Sequence, residues 1–316
     1  MSRVFLFPGQ GSQFIGMAKD LCEAYPTAAR LMQRAHEVLG YDLSEIMWGN
    51  GLSEEDAAER LKQTQYTQPA LFVHSAIVGS VLKEKGLTPD VVAGHSLGEL
   101  SALYAAGVCD FETALGLVSL RGTLMAEAGV KAPGAMSAVL GMSDEDVSAH
   151  CEAIASSGAV VVAANFNAPG QVVISGSPEG VAAAGDACQQ AGAKRVVPLP
   201  VSGAFHSPLM AYAAPAFDKA LRAATFEAAS CDVYINVTAH VERDPEMLKQ
   251  RLVEQLTSPV RWSDTLANMR DQGCTTFFEV GAGRVLSGLL RTTLGREWVA
   301  TPLGTAEQLS ALESTN

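Results

Sequence analysis

The stretch Val91–Glu99, Val-Val-Ala-Gly-His-Ser-Leu-Gly-Glu, constrains the fold of this chain more than any other. A short apolar run, typical of a buried strand, ends in Gly94, and a segment of helical character follows from Leu97 to Ala106. Gly-x-Ser-x-Gly at a strand-to-helix turn is the nucleophile elbow, which exposes the serine hydroxyl at the corner. The pattern therefore predicts a nucleophile at Ser96, with the Leu97 N–H facing an oxyanion beside it. The alternative is a tight turn whose serine takes no part in chemistry.

Composition narrows the class of protein. The chain has 316 residues, of which 48% are hydrophobic and 18% charged, enough for a large core or for a large domain with a smaller one. The net charge of −12 without a basic stripe argues against nucleic-acid binding. Six scattered cysteines without a C-x-x-C pair are typical of reduced thiols in the cytoplasm. With no signal-peptide pattern and no apolar run of membrane-spanning length, we expect a cytoplasmic protein with no metal site and no membrane partner.

The order of elements predicts two domains. Strands and helices alternate with short connections on both sides of residues 130–200, which is typical of an α/β fold with a mostly parallel sheet. Residues 130–200 read as β-α-β-β-α-β, the order of a ferredoxin-like unit. We predict a discontinuous large domain, residues 1–129 and 201–316, with a small ferredoxin-like domain inserted at 130–200.

Three further residues could act together with Ser96. The Gly-rich loop around Gln10 follows an apolar strand but lacks the nucleotide-binding glycine patterns, so it offers half of an oxyanion hole or is an ordinary turn. Arg121 lies in an apolar helical pattern, where it either snorkels to solvent or grips a carboxylate in two places. His206, in a loop, is the candidate base, although a lone loop histidine can be incidental. The neighbouring His95 is expected to point to the opposite face.

Together these stretches resemble the malonyl-CoA:acyl-carrier-protein transacylases of bacterial fatty-acid synthesis. The resemblance covers nearly the whole chain and rests on six motifs in the family's order: Gly9–Gln13, Gly94–Glu99, Arg121, Asn165–Gln171, Phe205–His206 and Gln255–Trp262. It implies an α/β-hydrolase-like large domain with the inserted small domain. It also implies ping-pong transfer of malonyl from malonyl-CoA, through a malonyl-serine, to the phosphopantetheine thiol of acyl carrier protein. This transfer would supply fatty-acid elongation without a cofactor.

The resemblance also implies a role for each matching residue. Ser96 is the nucleophile, His206 is the general base and later acid, and the main-chain carbonyl of Gln255 orients the imidazole. The N–H groups of Gln10 and Leu97 form the oxyanion hole. The remaining implied substrate contacts are Arg121 with the malonyl carboxylate, Asn165 near the acyl group, and Phe205, whose ring excludes an α-methyl branch. One helical turn after Arg121, Met125 either lines the same pocket or is simple core.

Acyl carrier proteins are acidic, and so is this chain, so docking requires a local basic patch. The candidates, which are otherwise ordinary solvated charges, are Lys194, Arg195, Arg284 and Arg291. We expect a monomer. Two other functions remain open: an esterase or thioesterase, which would need an acid behind the histidine and usually a His-Gly-Gly-Gly loop that is missing here, and a non-catalytic carrier-binding scaffold.

Overall fold

The computed structural model of the protein describes residues 2–201 and 203–312. The elements up to residue 131 are β1 (Arg3–Phe7), α1 (Lys19–Ala24), α2 (Pro26–Leu39), α3 (Leu43–Trp48), α4 (Glu54–Lys62), α5 (Thr64–Glu84), β2 (Val91–Gly94), α6 (Gly98–Ala105) and α7 (Phe111–Lys131). Those of the middle segment are β3 (Ala135–Leu140), α8 (Asp144–Ala155), β4 (Val161–Ala168), β5 (Gln171–Gly176), α9 (Pro178–Gln190) and β6 (Arg195–Pro198).

The rest of the chain returns to alternating helices and strands. Its elements are a 3-10 helix (Pro208–Ala213), α10 (Ala214–Ala223), β7 (Asp232–Tyr234), β8 (Val241–Glu242), α11 (Pro245–Gln255), β9 (Val260–Arg261), α12 (Trp262–Asp271), β10 (Thr276–Val280), α13 (Val285–Leu294), β11 (Ala300–Leu303) and α14 (Ala306–Ala311). The protein is thus a mixed α/β fold, as predicted. In the part of the chain that the structure describes, no helix is both long and apolar enough to cross a bilayer.

The larger sheet has the strand order β11-β10-β1-β2-β7-β8, and its neighbours are parallel except for the last pair. Its central strands are buried on both faces, which is usual for parallel sheets covered by helices. Alternate residues of β1 serve the two cores: Phe5 and Phe7 face one, and Val4 and Leu6 face the other. Phe7 is in register with Gly94, so the loops after β1 and β2 leave the sheet side by side.

The smaller sheet has the order β6-β3-β5-β4-β9. The four strands of the middle segment pair antiparallel, in the predicted β-α-β-β-α-β sequence order. The fifth strand, β9, comes from outside residues 130–200 and pairs parallel with β4, where Asn165 is in register with Val260. The small sheet is therefore larger than the predicted segment. The reason is that β4 would otherwise present unpaired N–H and C=O groups along that edge.

Candidate active site

The elbow at the end of β2 forces the Ser96 backbone into the left-handed region, with φ of 52°. A Cβ on Gly94 would lie 1.8 Å from the Gly98 backbone, and one on Gly98 would lie 2.1 Å from the carbonyl oxygen of Phe7. Only glycine at both positions allows α6 to begin this close to β1 and β2. The turn leaves Ser96 part-exposed at the carboxyl edge of the larger sheet, where ligands bind in α/β folds.

The structure brings His206 to Ser96 across 110 residues of chain. The Ser96 Oγ lies 2.7 Å from His206 Nε2, and His206 Nδ1 lies 2.9 Å from the main-chain oxygen of Gln255. Because a carbonyl can only accept, Nδ1 carries the proton and Nε2 is free to accept the serine hydroxyl. The place behind the histidine is held by a peptide carbonyl, whereas the esterase alternative requires an acid there.

The charge state of His206 follows from its surroundings. The residue is buried, and this burial, reinforced by the nearby Arg121 guanidinium, lowers its pKa to about 3. The hydrogen bond to the Gln255 carbonyl acts in the opposite direction but is a smaller effect. The imidazole is therefore neutral at physiological pH, the form in which it can accept a proton from Ser96.

Two backbone amides beside the serine are available to an oxyanion. The N–H groups of Leu97 and Gln10 have no hydrogen-bond partner among residues 2–201 and 203–312, and both residues border the same cavity as Ser96. The Ser96 N–H, in contrast, is held by the Oδ1 of Asn236 at 2.7 Å. Unpaired backbone donors on two residues that border the same cavity as a nucleophile are what an oxyanion hole requires.

Arg121 is 1% exposed, so the snorkelling alternative is wrong. One of its terminal nitrogens, Nη1, donates to Gln68 Oε1 at 2.9 Å; the other, Nη2, lies 2.8 Å from Gln255 Oε1 and 3.2 Å from Ser96 Oγ. Burial lowers its pKa to about 10, against the opposing effect of Glu99, so the side chain stays cationic at neutral pH. In the described part of the chain, no carboxylate lies within ion-pair distance of it.

These groups border one cavity of about 150 Å³. This volume is below the roughly 300–1,000 Å³ of pockets for drug-sized ligands, so it suits a short acyl group. The predicted residues that line it are Ser96, His206, Gln10, Leu97, Arg121, Met125, Asn165 and Phe205. Gln255 lies behind the histidine and contacts Ser96, His206 and Arg121.

Four residues of this region were not predicted. Gln68 and Asn167 line the cavity, whereas Asn236 and Glu99 are fully buried beneath the elbow. His95 also borders the cavity, but its ring packs edge-on against Trp262, in the core cluster that contains Val91 and Ala93 of β2, with the ring centroids 5.5 Å apart. The Nε2 of His95 lies 2.7 Å from Asn167 Oδ1. In the described residues, no group of three or more His, Cys, Asp or Glu side chains is placed to hold a metal ion.

The four candidate docking residues are all exposed. Lys194 and Arg195 lie at the start of β6. The cavity is bordered by Leu199, just beyond the end of β6, which is roughly 13 Å from Arg195 along an extended chain. Arg284 precedes α13 and follows Gly283, which packs against Ser12 in the Gln10 loop. Arg291 lies in the last turn of α13. Of the four, Arg284 is thus next to the loop that borders the cavity.

The geometry is that of an enzyme that forms an acyl-serine: a hydroxyl bonded to a neutral imidazole, with amide donors for the oxyanion and a cation for an acid end of the acyl group. A family model described as the acyl transferase domain matches residues 4–309. The malonyl CoA-acyl carrier protein transacylase of Bacillus subtilis (strain 168) is 46% identical over 292 residues, covering 92% of this chain and 90% of the relative. The Escherichia coli (strain K12) protein of that name is 44% identical over 288 residues, 91% of each.

Solved structures agree. An acyl carrier protein S-malonyltransferase from Vibrio cholerae superposes with a TM-score of 0.92 at 43% identity, covering 99% of this chain and 100% of the other. A type II PKS acyl-carrier protein in complex with its malonyl-transacylase gives a TM-score of 0.93 at 40% identity, with 100% of both chains covered. The chain belongs to the malonyl-CoA:acyl-carrier-protein transacylase family of acyl transferases, and the resemblance seen in the motifs is confirmed.

Proposed function

We propose that the protein moves a malonyl group from malonyl-CoA to the phosphopantetheine thiol of acyl carrier protein, through malonyl-Ser96, and so supplies fatty-acid elongation. One observation carries the choice of acyl group. The buried Arg121 cation lies 3.2 Å from the Ser96 hydroxyl and is held by the neutral amide oxygens of Gln68 and Gln255. A buried charge of this kind is costly unless it is paired, so the substrate's free carboxylate is its fitting partner.

In the first half-reaction, Ser96 Oγ attacks the thioester carbonyl while His206 Nε2 takes the hydroxyl proton. The carbonyl oxygen becomes an oxyanion between the N–H groups of Leu97 and Gln10. The intermediate then collapses, the C–S bond breaks, and His206 returns the proton to the departing coenzyme A sulfur. The malonyl group remains as an ester of Ser96.

The second half-reaction reverses these steps with a different thiol. The carrier's phosphopantetheine thiol gives its proton to His206 and attacks the ester carbonyl. The C–O bond to Ser96 breaks, and His206 protonates the serine oxygen. Thioester and free thiol are exchanged with no change in oxidation state, so the reaction requires no cofactor.

The cavity walls account for the acyl group that is accepted. Arg121 can grip both oxygens of a carboxylate, and an acetyl group would leave the guanidinium unpaired. The buried ring of Phe205 and the side chain of Met125, whose Sδ lies 3.3 Å from Gln68 Nε2, narrow the space around the α-carbon. Asn165, on β4, faces the same space and is positioned to contact the acyl chain.

We further infer that the larger sheet belongs to an α/β-hydrolase-like domain, residues 1–129 and 201–316, and that residues 130–200 form a ferredoxin-like insertion. The order β6-β3-β5-β4, which is strand order 4-1-3-2 of the inserted unit, with all pairs antiparallel, supports the second assignment. Residue 1, residue 202 and residues 313–316 lie outside the described residues. We propose a cytoplasmic monomer whose carrier protein docks beside Arg284, with Lys194, Arg195 and Arg291 further from the cavity.

Intact-mass analysis after mixing with malonyl-CoA tests the proposal. The protein is expected to gain one malonyl group, the Ser96→Ala variant none, and added holo acyl carrier protein should remove the group by becoming malonylated itself. A wild-type protein that stays unmodified, or that releases malonate to water without loading the carrier, would contradict the proposal.

A further inference from the structure

A buried amide beneath the elbow has no part in the chemistry above. Asn236, two residues beyond the end of β7, is fully buried, yet its side chain reaches the backbone of the reacting serine. Its Oδ1 accepts the Ser96 N–H at 2.7 Å, and its Nδ2 donates to the carbonyl oxygen of Gly94 at 2.7 Å. One side chain thus holds both the strand arm and the corner of the turn.

The helix arm is tied to the same residue. The backbone N–H of Asn236 donates to Oε2 of Glu99 at 2.6 Å, and Glu99 lies fully buried in the first turn of α6. On its other side, the Asn236 carbonyl accepts the Arg261 N–H at 3.0 Å, which anchors it to β9 of the smaller sheet. The strand, the turn and the helix of the elbow are therefore all hydrogen-bonded to Asn236, which is itself hydrogen-bonded to β9.

An amide is required here by the course of the chain. Strand β2 pairs with β7 up to Ala93 and Tyr234, but then turns away, so Gly94 O and Ser96 N lose the partners that a continuing strand would supply. The Asn236 side chain offers one acceptor and one donor, as a peptide group does. Aspartate would supply no donor in its charged form, and alanine would leave two buried backbone groups unpaired.

We propose that Asn236 is a positioning residue that holds Ser96 in its left-handed conformation and thereby fixes Oγ against His206 and the oxyanion donors. A non-glycine residue keeps a φ of 52° only where its surroundings over-determine it. Because Asn236 Oδ1 accepts the Ser96 N–H, that donor is not available to the oxyanion, which is left to the Leu97 and Gln10 amides. A displacement of the nucleophile by about 1 Å costs about 10²-fold in rate.

The inference rests on the proposed acyl-serine mechanism and is tested with Asn236→Ala and the isosteric Asn236→Asp. Asn268→Ala is the matched control, because Asn268 Nδ2 also bonds the backbone of the segment after β7, at Ala239 O, 2.8 Å away, without touching the elbow. Each protein is mixed rapidly with malonyl-CoA, quenched and weighed. The acylated fraction at the end of the time course gives the proportion of working sites. The rate constant with which that fraction is reached gives the acylation rate per site.

We expect both Asn236 variants to reach nearly full acylation at a rate about tenfold to a hundredfold lower, and Asn268→Ala to match the wild-type rate. A merely structural residue would reduce the acylated fraction and leave the rate per site unchanged. Either Asn236 variant within about twofold of the wild-type rate, or failure of both to give any acylable protein, would overturn the inference. Absence of the adduct from the wild-type protein would instead reject the proposed function, so the two failures are distinguishable.

Discussion

Replacing Arg121 by alanine should remove the preference for malonyl over acetyl. The guanidinium is 1% exposed and lies 3.2 Å from the Ser96 Oγ, so a malonyl group on that oxygen brings its carboxylate into a water-poor site beside the cation. Breaking a buried ion pair by removing one partner costs about 3–5 kcal/mol. At 1.36 kcal/mol per decade, kcat/KM for malonyl-CoA should fall by about 10²- to 5 × 10³-fold.

The value of kcat/KM for acetyl-CoA tests the same explanation with a substrate that lacks the carboxylate. An acetyl group has no carboxylate, so wild-type enzyme that binds it must leave the Arg121 cation unpaired, and Arg121→Ala removes that penalty. The malonyl-to-acetyl ratio of kcat/KM should therefore fall by at least as much as the malonyl rate. Arg121→Lys keeps the charge but loses the planar fork that contacts Gln68 and Gln255. Its malonyl-to-acetyl ratio of kcat/KM should therefore lie between those of the wild type and Arg121→Ala.

The assay is release of free coenzyme A thiol from each donor, with acyl carrier protein as acceptor and with acylable sites counted by mass. Arg222→Ala is the control, because its side chain is 76% exposed and pairs with surface Asp218. A malonyl-to-acetyl ratio within about threefold of wild type in Arg121→Ala would refute the account of selectivity.

Two further predictions concern the base and the cavity wall. Burial and Arg121 hold the His206 pKa at about 3, so kcat/KM for acylation should show no protonation limb near pH 6.5 as pH falls from 8 to 5. Arg121→Ala removes one of the two causes that lower the His206 pKa, so in that variant the limb should move to higher pH. Burial raises the pKa of Glu99, beneath the elbow, to about 7, so the contradicting result is a limb with a pKa near 6.5 in the pH–rate profile that persists in Glu99→Gln. Phe205→Ala should raise methylmalonyl-CoA turnover relative to malonyl-CoA by about tenfold or more, since one methyl group is worth about 1–3 kcal/mol in a tight pocket. An unchanged ratio in a variant that melts cooperatively would place Phe205 outside the specificity wall.

Local sequence patterns predicted the parts of this structure that depend on local rules. The β2–α6 elbow, the glycines on either side of Ser96 and the β-α-β-β-α-β order each follow from periodicity and backbone sterics within a short window. The strand β9 could not be predicted in this way. Its two residues pair with β4 from about a hundred positions away, and no propensity in so short a segment indicates a strand.

The site shows the same division. Sequence patterns and the family resemblance pointed to Ser96, His206 and Arg121 because each residue type carries recognisable chemistry. They missed Gln68 and Asn236, whose amides carry no charge and no nucleophile, and whose importance depends on what they face after folding. The Gln68-Pro69 sequence resembles a helix start, whereas the structure places it within the buried face of α5.

Gln255 shows why the rate of acylation and the choice of acyl group depend on each other in this site. The resemblance assigned only its main-chain oxygen, which receives His206 Nδ1 at 2.9 Å. Its side chain also lies 2.8 Å from Arg121 Nη2 through Oε1 and 3.2 Å from the Ser96 carbonyl oxygen through Nε2. One buried residue at the end of α11 therefore fixes base, cation and nucleophile relative to one another. Because these distances are shared, the position of the acyl carboxylate on Arg121 also sets the approach of the carbonyl to Ser96, so binding the correct acid end aligns the bond to be broken.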